Sequence, residues 1–223
     1  MLVNLLPDFL AVLNSSDRVA AYHRYYETHR HRLGAYWHNY VLDPDTPHFA
    51  EVVRMAALAD RSDLLSMLER TDVVALARSA EAHCASLLES DVDIDVILMV
   101  GVGAANAGEL VVSGRGMAFV CLEHFTGVPN TETQGLGLDP ELIPMWLAHE
   151  MAHAVRYTSP SSRSEIRALI DEADGYYSYW ETGRRASLGE HVVNEGIAVE
   201  VSRLVSPGPV SYTHLTLPTI LRV

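Results

Sequence analysis

Residues 139–157 read DPELIPMWLAHEMAHAVRY. Asp139 is a good helix N-cap, Pro140 suits the first helical position, and Glu141 places an acid in the first turn. The spacing predicts a helix to about Tyr157, with Pro144 costing one intrahelical bond and kinking the first turn. His149 and His153 stand four residues apart, one above the other on a single helical face. Two imidazoles so placed can converge on one ion, and neutral imidazole nitrogen suits Zn²⁺. Glu150 sits beside the first histidine, where a carboxylate can take a proton from water activated by the ion. Trp146, Leu147, Met151, Ala154 and Val155 supply the apolar surface that embeds such a helix in a core.

A third ligand is sought downstream. Residues 194–198 read NEGIA within a predicted last helix over about 188–205. Glu195 there can complete a His₂Glu set, and Gly196 and Ala198 are expected to let this helix approach the first closely. Between the two helices, residues 158–188 are rich in Ser, Arg and Tyr and read as a loop with a short helix. Tyr176, Tyr177, Tyr179 and His191 are the candidate oxyanion donors of this stretch. His191 lies one turn before Glu195 and can equally cap or solvate its helix. Arg156 reads as a salt-bridge partner near the site, Cys121 as packing, and Glu200 or Asp174 as possible hydrogen-bond acceptors for the two histidines.

Working toward the N-terminus, Val92 to Val100 alternates as a strand, Gly101 to Gly108 is a glycine-rich turn, and strands follow at Glu109–Ser113 and Gly116–Leu122. The last of these is expected to border the cleft as an edge strand able to take an extended peptide by strand addition. Residues 49–89 read as two or three helices, with Asp63 and Asp72 as caps. Residues 17–40 read as one amphipathic helix whose Val19, Tyr22, Tyr26, His29, Leu33, Tyr36 and Tyr40 form a packing face. The opening MLVNLLPDFLAVL lacks a basic leader and a cleavage site, so it reads as a buried strand or helix and not a signal peptide. The whole is expected to be α+β: a helical region over 1–90, then a core over 91–208 with a small sheet, an active-site helix and a glutamate helix.

Bulk properties bound the function. A net charge of −13 argues against nucleic acid and against an anionic membrane surface. No stretch of 18 apolar residues exists to span a bilayer. Two isolated cysteines suggest a reducing compartment, hence the cytoplasm. The sequence does not give the oligomeric state.

HEMAH followed by NEGIA resembles the gluzincin arrangement, and aminopeptidase N relatives carry a similar pair. Here 41 residues lie between His153 and Glu195, more than in those enzymes, so residues 158–188 read as an insertion. Their GxMEN segment is absent. The chain more closely resembles the YjaZ-like family of predicted zinc-dependent proteases, through VILMVGVGAANAGELV, GMAFVCLEHF with Glu123 and Phe125, HEMAHAVR, and Glu195 to Ala198. That resemblance implies a zincin-like metalloprotease domain with zinc on His149, His153 and Glu195. The expected function is hydrolysis of a peptide or protein substrate, in the manner of an endopeptidase, with Glu150 as general base. The alternatives are a non-catalytic or regulatory zinc-binding module and a zinc hydrolase of a non-peptide substrate. The closing residues 211–223, SYTHLTLPTILRV, resemble translated sequencing-adapter tails, so 209–223 is expected to be non-native and the native chain to continue past about Gly208.

Overall fold

The computed structural model describes residues 1–207, and the adapter-like tail lies outside the described residues. The fold is α+β, built on one four-stranded sheet ordered β1-β2-β4-β3. The strands are β1 (Leu2–Asn4), β2 (Asp95–Met99), β3 (Ala107–Val112) and β4 (Arg115–Cys121). β1, β2 and β4 run parallel, and β3 turns back antiparallel on β4 with Glu109 opposite Ala118. β4 is therefore an interior strand, contrary to its expected place at the cleft edge; the outer strand there is β3. β2 is fully buried along its length, which explains its near-continuous apolar reading.

Helices α1 (Leu6–Leu13), α2 (Arg18–Thr28), α3 (Arg30–Tyr36), α4 (Phe49–Leu58), α5 (Ser62–Leu68) and α6 (Val73–Leu88) precede β2. The opening segment is both strand and helix, and β1 carries the N-terminal region into the sheet. The expected single helix over 17–40 breaks at His29, whose ring pairs with Asp8 at 2.7 Å. It resumes as α3 and ends in a π-helical turn, Trp37–Val41. The ring face holds nonetheless: Tyr22, Tyr26, Leu33 and Tyr36 are buried, and Tyr36 and Tyr40 set their rings 5.4 and 5.1 Å from Phe119 of β4. Burying such a ring contributes about 1.5–3 kcal/mol. Asp72 caps α6 through Ala75 N–H, whereas Asp63 lies inside α5 and receives Asn130 instead.

Helix α7 (Ile143–Thr158) packs on the sheet's other face against β3 and β4, and α9 (Leu188–Val205) packs on α7. A 3₁₀ turn over Pro140–Leu142 precedes α7, with the Asp139 carboxylate accepting Glu141 N–H. Pro144 thus falls in the first turn of α7, where its missing N–H has no intrahelical partner to lose, and the expected kink has no cause. The intervening segment contains α8 (Glu165–Glu172) and a 3₁₀ turn at Gly183–Arg185. One apolar cluster joins α1 to α7, the sheet and α9; Val111, Tyr157, Ile166, Ile170 and Tyr177 form a second. Cys84 and Cys121 are both buried and unpaired. Among the described residues, no helix is long and apolar enough to cross a membrane.

Candidate metal centre

The four-residue spacing on α7 puts the His149 and His153 Nε2 atoms 3.1 Å apart. Glu195, two turns into α9, brings one carboxylate oxygen 3.3 Å from His149 Nε2 and the other 3.6 Å from His153 Nε2. This trio is the one cluster of metal-ligating side chains found among the described residues. The separations suit an ion. Four ligands at about 2.0–2.1 Å in a tetrahedron stand roughly 3.3 Å from one another, and two imidazoles with a carboxylate are a zinc donor set with a fourth position open. That open side is visible in the burial: both histidines are buried, while the Glu195 side chain keeps 46% of its surface exposed.

The helices meet through Asn194, Ala198, Val201 and Ser202, buried at helical spacing along α9. Ala198 permits the close approach, as expected, but Gly196 does not: a Cβ there would meet nothing within 4 Å. Asn194 donates to the Tyr157 hydroxyl at 2.7 Å and so fixes that ring. The Tyr157 ring stacks on His153 with centroids 6.0 Å apart. Asn194 and Tyr157 thus steady the second histidine, a task that Glu200 and Asp174 do not perform. Glu200 is exposed and pairs with Arg203 at 2.6 Å, and Asp174 occupies a left-handed turn at φ 52°. Arg156 meets both oxygens of the buried Glu190 at 2.9 Å, tying the end of α7 to the start of α9 as the sequence suggests.

Glu150 is 6% exposed. Burial, then the negative charges of Glu109 and Glu195, push its carboxyl well above the usual carboxylate range. Burial pushes the His153 imidazole below its usual value, which favours the neutral ligand form. Burial also acts upward on Glu195, but the His149 hydrogen bond and the neighbouring imidazoles outweigh it and hold the carboxylate ionised.

Glu109 is the site residue that reading the sequence missed. It lies on the α7 side of β3, where its charge raises the Glu150 carboxyl, and its carboxylate lies 3.2 Å from the Tyr40 hydroxyl. One signal for it exists in the sequence: it is the lone charge in the strand AGELVV. The oxyanion candidates separate. Tyr177 is buried, its ring 5.0 Å from Tyr157, and burial followed by Glu109 keeps its phenol protonated. His191 Nε2 lies 3.1 Å from the Gly183 carbonyl, and its charge is felt at Glu195. Tyr176 turns away to His38, 5.9 Å between centroids, and Tyr179 lies against Trp180.

The turn that delivers β3 is fixed from below. The buried Glu123 carboxylate accepts Gly101 N–H at 2.8 Å and Gly103 N–H at 3.0 Å. A Cβ at Gly101 would fall 2.6 Å from the Tyr36 hydroxyl and 2.8 Å from Cys121 Sγ, so only glycine fits. Compared with protein-family models, with curated proteins and with solved structures, the chain shows no significant match.

Proposed function

We propose that this chain is a zinc-dependent peptidase of zincin-like fold, with zinc on His149, His153 and Glu195. The reading is carried by one observation: three side chains of zinc-ligand type converge, their donor atoms 3.1, 3.3 and 3.6 Å apart, on the open side of α7. Zinc held by these three residues would supply a Lewis acid for water and for a carbonyl. The chain's own residues supply the rest. Glu150 adjoins the ligands and, with its raised proton affinity, accepts the proton of the attacking water and returns it to the leaving amine. Asn194 and Tyr157 hold the His153 ring in its ligating orientation. Tyr177 and His191 are the proposed donors to the developing oxyanion. Peptides or proteins are the substrates, and the two buried thiols fit a reducing cytoplasm.

Metal per chain, measured by elemental analysis on the full chain and on Glu195→Ala, tests the ligand set. About one zinc in the parent and a weakened site in the variant are the expected results. No zinc in a folded parent would refute the assignment. Hydrolysis of a peptide library by the parent, lost in Glu150→Gln with zinc retained, tests the chemistry.

A further inference from the structure

β3 is the outer strand on the metal side, where an extended peptide would add main-chain hydrogen bonds. Its register shows which rungs are open. In an antiparallel pair, alternate residues point their N–H and C=O outward, and in β3 these are Ala107, Glu109 and Val111. Glu109 is sealed: the Tyr40 hydroxyl bonds its carbonyl at 3.0 Å and accepts its N–H at 3.1 Å. Val111 is half sealed, its carbonyl accepting Tyr177 N–H at 3.0 Å. Asn39 locks the strap that carries Tyr177, donating to the Tyr177 carbonyl at 3.2 Å and accepting Tyr179 N–H at 3.0 Å. Asn39 and Tyr40 are neighbours in the π-helical turn, a feature found often at functional sites. Gly108 admits the Tyr40 hydroxyl, since a Cβ there would lie 2.4 Å from it. Among the described residues, Ala107 alone of the three has neither outward group bonded to another segment.

At the sealed end stands the Glu109 carboxylate. It lies 3.2 Å from the Tyr40 hydroxyl, acts on Glu150 through its charge, and forms no ion pair among the described residues. An internal stretch of peptide would have to continue past Glu109 into Tyr40 and the strap. A chain end need not. A carboxyl-terminal end would add a fourth carboxylate to Glu109, Glu150 and Glu195, whereas an ammonium brings the opposite charge. We infer that the site takes a peptide at its amino-terminal end, with the free α-ammonium against Glu109 and the chain leaving along Ala107. This rests on the peptidase reading and replaces the expected endopeptidase with amino-terminal action.

The test uses the zinc-loaded full chain and decapeptides of mixed sequence, with free or acetylated amino termini, products being read by mass spectrometry. Release of terminal residues from free peptides, with acetylated ones cleaved a hundredfold less or not at all, is the expected result. Glu109→Gln should raise KM for the free peptides by roughly ten- to a hundredfold, the loss of one charge-assisted bond, and erase the preference for free over acetylated ends at unchanged zinc content. Should that variant not fold, Tyr40→Phe keeps the ring and unseals Glu109, and is expected to raise the acetylated-to-free ratio severalfold; an unchanged ratio overturns the seal. Interior cleavage of acetylated peptides that depends on Glu150 overturns the amino-terminal inference and leaves the peptidase reading standing. No Glu150-dependent cleavage of either set overturns both.

Discussion

Glu123 and Glu150 are the same residue type in nearly the same degree of burial, 1% and 6% exposed, yet their surroundings are opposite. Glu123 receives two backbone N–H groups of the glycine turn. Glu150 has Glu109 and Glu195 for neighbours, and its proton affinity rises accordingly. A buried carboxylate saturated by donors holds the fold together. One kept among like charges costs stability and is poised for proton transfer.

The sharpest way to break that contrast is Glu150→Gln. Turnover should fall by about 10²–10⁴-fold, the usual range for a general base, while the melting temperature holds or rises because a buried carboxylate among like charges is gone. A melting temperature that falls would place Glu150 with Glu123 as a structural acid. Glu123→Ala is expected to do the reverse. It orphans two N–H groups at about 1–3 kcal/mol each, seen as a lower denaturant midpoint, with zinc per folded chain unchanged. Asn194→Ala should weaken zinc binding by about 10–100-fold with a smaller loss of stability, measured by competition with a chelator. Equal affinity would remove Asn194 from the support of His153.

A third buried acid sharpens the comparison through pH. Burial alone would raise Asp95, but Arg115 at 2.6 Å and Arg32 at 3.3 Å outweigh it and hold the carboxyl below its ordinary value. Its contribution is therefore complete above the unfolded pKa of about 3.9 and lost as pH falls below that through the folded value. The melting-temperature gap between the parent and Asp95→Asn should be widest near neutral pH and close toward pH 3; a constant gap would show that the ion pairs contribute nothing.

The two helices of the site were legible because a period of 3.6 fixes which side chains share a face. His149 and His153 follow from position alone, and the bounds of α9 match the sequence reading at Leu188 and Val205. The ring face of 17–40 was legible for the same reason, but its break was not: His29 is drawn to Asp8, a partner from another helix. The edge of the sheet was illegible. Alternation within β3 and β4 says which residues alternate, not which strand lies outermost, and so β4 was taken for the rim. Glu109 was passed over because its neighbours Glu150 and Tyr40 come from elements far along the chain. Asn194 stood inside the quoted NEGIA, yet only the placement of Tyr157 and His153 gives it a task.

The π-helical turn at Trp37–Val41 has a consequence for how such a protein can change. Its Leu42 N–H reaches the Trp37 carbonyl, five residues back, so the turn holds one residue more than an α-helical turn. Deleting any one of the five would leave an ordinary α-helical turn closed between the same two ends, with the residues inside it re-spaced at about 100° each. Asn39 and Tyr40 could not then both meet the strap and the strand. A one-codon change far upstream of the histidines would thereby reach the outer strand beside the metal-ligating trio.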